Sequence, residues 1–422
     1  MNRPIHSRRD FLSTLGALSA AGLTSNPPWL DATRPTVDRV PGAARGLALA
    51  PDDFTFAPGL VYLQTGSLGP TPRPVMEQTV AAWKTLELNP AAYGYGEQEH
   101  AMDDVRARAA AFLDCKTEEL VLTRSTTEGM NWIAQGLTLG AGDRVLTTDQ
   151  EHPGGRACWD YLARRYGVAL DVAVIPPGEN DAQAIVHRMG SMITPRTRVL
   201  SFSHVLSSTG LRMPVAELSA LARSRGAIAV VDGAQAAGGI PVDLKALGCH
   251  AYATSGHKWL LAPKGTGLLY LSEELGKTID PIALQGGRAA YSESSGVTSI
   301  PSVLGLGAAV AYVSAIGIGK IEAHNLGLRG RLYEALREIP KLRVVSAAPG
   351  PLASPLLTCE LPADIKSDAF HQRMRDTYRI ELKRVPANWL NGIRVSTHLF
   401  NTEQDVDRLA EAVERLSKLG GR

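Results

Sequence analysis

The chain has 422 residues, 44% of them hydrophobic and 20% charged, with a net charge of +2. That length suits two or three domains, or one large α/β domain with a satellite, and the composition is globular rather than disordered. Balanced charge offers nucleic acid no basic field, and beyond the N-terminus no apolar run reaches the roughly 18 residues of a membrane span. Cysteines Cys115, Cys158, Cys249 and Cys359 form no C-x-x-C pair, which argues against a zinc ribbon, a redox motif or a disulfide framework.

Residues 7–12 read Ser-Arg-Arg-Asp-Phe-Leu, and a weakly apolar stretch rich in Ala, Gly and Ser runs on to Leu23. Adjacent arginines (Arg8, Arg9) ahead of such a stretch resemble a twin-arginine export signal. The expected partner is then the twin-arginine export machinery and the expected location the periplasm; the plain alternative is a basic arm before a first helix. Pro27, Pro28, Pro35 and Pro41 mark residues 25–45 as a linker. Residues 1–45 are therefore set apart from the fold.

Short apolar, β-branched runs follow at 119–123, 144–148, 170–175, 198–203, 227–232, 250–254 and 266–271, and read as strands. Amphipathic stretches near 127–138, 155–167, 181–192 and 214–225 read as helices between them. Strands too apolar to alternate, separated by helices, indicate a mostly parallel sheet covered on both faces. Residues 46–301 form this large domain. Beyond Pro301 the pattern becomes two helices (302–315 and 320–338), strands at 343–347, 356–361, 380–385 and 392–397, and a closing helix at 403–419. Residues 302–422 thus read as bridging helices and a smaller C-terminal α/β domain.

Four strand-end segments carry chemistry. Ser255-Gly-His-Lys258 follows one strand, and a lysine there can form a Schiff base with a carbonyl compound if its neighbours lower its pKa. Val231-Asp232-Gly-Ala-Gln235 ends another with an acid suited to keep a pyridine nitrogen protonated. Thr126-Thr127-Glu128-Gly129 opens a helix whose N-terminus suits an anion. Glu151-His152-Pro153 places an imidazole where it can stack on an aromatic cofactor. Singly, each is as well explained by a solvated lysine, a strand-end turn, a helix cap or a loop histidine.

Taken in order, these segments resemble the class V aminotransferase family of pyridoxal-phosphate enzymes, fold type I, and within it the isopenicillin N epimerase-like branch. Val61-Tyr-Leu-Gln-Thr-Gly-Ser-Leu-Gly-Pro70, Ser203-His204-Val205 and Arg394-Val-Ser-Thr-His398-Leu-Phe-Asn401-Thr extend the likeness over residues 52–420. The resemblance implies pyridoxal 5′-phosphate as cofactor, with Lys258 as Schiff-base lysine and Asp232 at the pyridine nitrogen. It further implies Gln235 at the phenolic oxygen, His152 stacked on the ring, and Thr126, Thr127, Ser255 and His257 at the phosphate. Arg394 would clamp a substrate carboxylate. A homodimer is implied too, although the Gly-Thr pair by which many members reach the neighbouring subunit's phosphate is here Gly296-Val297-Thr298, which displaces that contact to Thr298. Where some relatives use an asparagine beside the cofactor oxygen this chain has Ser207. The desulfurases' nucleophilic cysteine has no counterpart, since no Cys follows Cys359.

The expected activity is amino-group or Cα chemistry on an amino acid or an amino-acid-bearing metabolite, of epimerase or aminotransferase type. An exported enzyme that tailors a secondary metabolite or siderophore is one form of it. A C–S or C–C lyase of the same family and an exported cofactor-binding protein without turnover are the alternatives.

Overall fold

The computed structural model describes residue 49 and residues 51–285, 296–385 and 389–419. The export signal and linker read at 1–45 lie outside the described residues. A two-residue strand, β1 (Val61–Tyr62), precedes two long helices, α1 (Arg73–Leu88) and α2 (Gln98–Phe112). Neither helix is among the elements read from the sequence. Only Pro74 and Val75 of α1 are buried, and Val75 and Leu86 pack into the core on the side that meets α7.

From Leu120 strands and helices alternate: β2 (Leu120–Thr123), α3 (Thr126–Gly136), β3 (Arg144–Thr148), α4 (Pro153–Tyr166), β4 (Ala169–Ala173), α5 (Ala182–Met192), β5 (Thr197–Ser203), α6 (Val215–Ser224), β6 (Ile228–Asp232), β7 (Ala251–Ser255) and β8 (Gly267–Leu271). Each overlaps a stretch read from the sequence. The sheet order is β2-β8-β7-β6-β5-β3-β4. β8 is antiparallel to both its neighbours and the other pairs are parallel. Passing through β8 leaves β2 pointing the same way as β7. Thr123, Thr148, Ser203, Asp232 and Ser255 therefore end on one edge, the edge at which open α/β sheets bind ligands. Both faces are covered: Leu200, Phe202 and Val231 pack into one apolar cluster, while Val199, Val230 and Ala253 pack into another with Trp159. That is the period-two alternation of strands buried on both sides.

Two further helices, α7 (Ile300–Ile316) and α8 (Ile318–Arg337), follow. α7 carries no charged residue and lies against α1 and α2, buried along most of its length. A side chain at Gly305 would come within 2.2 Å of Thr79 Oγ1 and 2.5 Å of Pro263 Cγ, so glycine lets α7 close on α1. Among the described residues no single helix is long and apolar enough to cross a membrane.

The C-terminal region contains β9 (Arg343–Val344), β10 (Leu356–Glu360), α9 (Ser367–Asp376), β11 (Ile380–Glu381), β12 (Lys383–Arg384), β13 (Gly392–Ser396) and α10 (Glu403–Leu419). Four strands form an antiparallel sheet in the order β12-β13-β10-β9. The single strand expected at 380–385 is two. Ile380 and Glu381 pair with β1, the chain switches at Leu382, and Lys383 and Arg384 pair with β13. The strand expected at 343–347 stops at Val344, because Thr358 N–H donates to the Ser346 hydroxyl (2.8 Å) in place of a backbone carbonyl. Val61 and Leu63, far away in sequence, pack with Leu357, Ile393 and Leu409 in this region's core.

Candidate active site

A cavity of about 280 Å³ opens at the shared strand edge. Every residue to which the family resemblance gave a cofactor or substrate role lines it except Thr298, which borders a separate apolar groove with Trp83, Tyr95 and Val297.

One end of the cavity is built by β2, α3 and β7. Ser125 caps α3 by accepting from Glu128 N–H (3.2 Å). The Ser255 hydroxyl, at the end of β7, accepts from Thr126 N–H (3.1 Å) and lies 2.8 Å from Thr126 Oγ1. Thr127 N–H is the first-turn donor left without an acceptor among the described residues, and a helix start with a free N–H favours an anion. His257 closes this end. Its Nδ1 must carry the proton it gives to Thr266 O (3.1 Å), which leaves Nε2 as a lone pair. Burial, helped by Lys258 and Lys264, lowers the His257 imidazole pKa. An anion arriving here would therefore have to draw a proton onto Nε2 before His257 could donate to it.

Lys258 follows in the next turn. It is nearly buried and makes no hydrogen bond or ion pair among the described residues; desolvation brings its ammonium down to about 8, against the pull of Asp232. Asp232, at the end of β6, is 5% exposed. Burial raises its carboxyl, opposed by Ala234 N–H, which donates to Oδ1 (2.9 Å), and by the charge of Lys258. A side chain at Gly155 would come within 2.4 Å of Asp232 Oδ2, so α4 can start against this carboxylate only with glycine there. His152 caps α4, its Nδ1 accepting from Gly154 N–H (3.0 Å). Desolvation by the cavity wall, together with Lys258, Arg394 and Lys383, pushes the ring down to about 4, so it is neutral with its proton on Nε2.

Gln235 is held at both ends of its amide. Nε2 donates to Gly66 O (2.8 Å) and Oε1 accepts from Trp259 Nε1 (2.9 Å), which leaves one N–H and one oxygen lone pair for a ligand. Arg394, on β13, is 5% exposed. Its Nη1 donates to Ser207 O (2.5 Å), its Nη2 reaches Ser67 Oγ at 3.5 Å, and its Nε has no partner among the described residues. Burial lowers the guanidinium to about 10. The Ser207 backbone thus supports Arg394, where the sequence comparison drew attention to its side chain. His204 lies beneath the site rather than in it, its Nδ1 2.9 Å from Tyr252 Oη. Asn401 is structural: it donates to Tyr62 O and accepts from His398 N–H, both at 2.9 Å.

Two residues were not foreseen. In the sequence Glu151 is one member of the Glu151-His152-Pro153 motif, with no role of its own. It accepts from Thr148 Oγ1 (2.6 Å) and Ser203 Oγ (2.5 Å), and burial raises its carboxyl to about 7 despite those bonds. Lys383 lines the cavity from β12, opposite Arg394. Nothing local in the sequence marks it, because the pairing that brings it there spans a turn and a strand switch.

The model of the family described as aminotransferase class V matches residues 61–409. An isopenicillin N epimerase from Amycolatopsis lactamdurans is 32% identical over 399 residues, covering 89% of this chain and 100% of the relative. A cysteine desulfurase from Klebsiella pneumoniae is 34% identical over 347 residues, covering 76% and 83%. The fold matches that of C-DES, solved as a variant with glycine covalently linked to its PLP cofactor, with a TM-score of 0.78 at 23% identity over 86% of this chain and 98% of that one.

Proposed function

The chain belongs to the class V aminotransferase family and has the fold of pyridoxal-phosphate-dependent fold type I enzymes, and from that premise we propose that it acts on the amino group or Cα of an amino acid or an amino-acid-bearing metabolite. One observation carries this reading: Lys258, nearly buried, its side chain without a partner among the described residues and its ammonium brought down to about 8, shares a cavity with Asp232, Arg394 and the N-terminus of α3.

The residues fit pyridoxal phosphate. Thr127 N–H and the Ser255, Thr126 and His257 cluster offer an anion site, Asp232 has an oxygen not engaged by Ala234, and Lys258 has no competing partner. When bound, the cofactor supplies an aldehyde that condenses with amines and a pyridine ring that accepts electrons from Cα. Asp232 would keep a proton on the ring nitrogen of the bound cofactor by charge and hydrogen bonding. His152 offers a flat, neutral face. Arg394, steadied by Ser207 O, orients the substrate carboxylate. Burial lowers the Lys258 ammonium toward the neutral form, and a neutral Lys258 Nζ could take the Cα proton.

A proton delivered to the opposite face of Cα by a second acid would complete epimerisation, and one delivered away from Cα would complete transamination. The isopenicillin N epimerase relatives support the first of these, and the aminotransferase class V family the second. A C–S lyase working by elimination is the second reading, supported by the desulfurase relatives. A protein-bound persulfide has no nucleophile to form it. None of the four cysteines lines the cavity, and burial lifts each thiol to about 12. Export through the twin-arginine route and a homodimer closing over the apolar groove at Thr298 complete the proposal.

Borohydride reduction followed by peptide mapping should leave the cofactor attached to Lys258. The rival, Lys264, is tied to Gly69 O (2.8 Å) and Thr71 Oγ1 (3.0 Å), and a label there would overturn the assignment. An amino-acid panel read by chiral, keto-acid and sulfide analysis separates the reactions. No turnover of any member would leave a cofactor-binding protein.

A further inference from the structure

This inference rests on the reading of Arg394 as the carboxylate clamp and extends it. Lys383 and Arg394 stand directly opposite each other on β12 and β13 and both line the cavity. Opposed side chains in an antiparallel pair have Cβ atoms about 5 Å apart, and like charges there repel. The charges flanking Lys383 are neutralised elsewhere: Arg384 pairs with Asp368 at 2.9 Å, and Glu381 with Arg375 at 3.3 Å. Among the described residues Lys383 has no acidic partner, and Arg394 is held only by a carbonyl and a hydroxyl, with Nε unpartnered. Asp232 is the one acid lining the cavity, and it is engaged by Ala234 N–H on the Lys258 side.

Two cations facing one another without an acid between them destabilise the empty protein and favour anions. A single carboxylate matches the planar fork of Arg394. Lys383, a compact charge at a distance of a few bonds, is then left for a second one. We propose that the site takes an amino acid with a second acidic group on a short side chain, Lys383 serving as its counter-ion while Arg394 holds the α-carboxylate.

Spectral titration of the holoenzyme with L-aspartate against L-asparagine, and L-glutamate against L-glutamine, isolates one charge at nearly constant shape. In at least one pair the acid should bind tenfold or more tighter than its amide. Lys383→Met should cut that ratio to threefold or less, and Lys383→Arg should restore it. Succinate and glutarate, which carry no amine, should raise the melting temperature of the holoenzyme more than butyrate does. The proposal is overturned if neither pair separates by more than threefold in the wild type, or if Lys383→Met leaves the ratio intact. Equal weakening of acid and amide by Lys383→Met overturns it as well, since both cations would then grip one carboxylate. The wild-type pairs and Lys383→Arg decide the matter even if the Met variant fails to fold. Should the diacids keep their preference while no amino acid is turned over, the functional reading fails and the subsite stands.

Discussion

Burial acts on Lys258 and Asp232 in opposite senses, pushing the ammonium down and the carboxyl up, and each consequence can be measured. For Lys258 the folded value near 8 lies below the ordinary 10.5. Between those values the unfolded chain binds more protons, so the buried ammonium costs stability below pH 8 and the cost fades as pH rises through the window. In cofactor-free protein, Lys258→Met should therefore raise the melting temperature at pH 7, by the equivalent of up to about 3 kcal/mol. That gain should vanish by pH 10.5; a difference independent of pH would mean that packing, not charge, is responsible. Asp232→Asn keeps the shape and removes the charge. Cofactor content should fall little while the chemical step slows by about two to four decades, roughly 3–5 kcal/mol. A single-turnover rate within threefold of wild type, with a lowered melting temperature, would make Asp232 a strand-end cap.

Elements were legible where their signal is local. β2 to β8 are apolar, β-branched runs closed by polar or small residues, and α3 to α6 carry caps or apolar spacing. α1 escaped because it exposes most of its surface, and the 380–385 strand was misjudged because the switch at Leu382 depends on two partners distant in sequence. α7 shows what close packing requires. Gly305→Ala would press a methyl group onto Thr79 and Pro263, and should cost about 1–3 kcal/mol in denaturant melts. Gly327→Ala, on α8 with open space around it, should instead be neutral or stabilise by about 0.5–1 kcal/mol. If both changes behave alike, the glycine in α7 is not there for contact with α1.

At the scale of the molecule the apolar groove is the conspicuous surface. Trp83 (52%), Tyr95 (60%) and Val297 (67%) are exposed large apolar side chains around it, and contiguous exposure of this kind marks an interface. Trp83→Glu should convert the proposed homodimer to monomer in light scattering and lower cofactor retention through Thr298; a variant that stays dimeric places the interface elsewhere. Export is tested separately. Replacing Arg8 and Arg9 with Lys should leave a folded, cofactor-bearing protein in the cytoplasm, because the twin-arginine route carries folded cargo. If the double variant still reaches the periplasm, the reading of residues 7–23 is wrong.

The order of residues along the chain indicated a mostly parallel sheet and its carboxyl edge as the ligand-binding edge, and strand and helix ends marked Lys258, Asp232, His152 and Thr126 there, whereas Arg394, in the middle of β13, was singled out only by the family resemblance. Only the tertiary structure decided how those groups are held. The two-sided grip on Gln235 by Gly66 and Trp259, the Ser207 carbonyl beneath Arg394, the bond from Ser203 to Glu151 and the pairing of Lys383 with Arg394 all join residues from separate elements. The placement of Thr298 in a groove outside the cavity is of the same kind. Local sequence records propensity and pattern. Burial, and the charge balance it creates, arise from contacts between distant segments and exist only once the chain has folded.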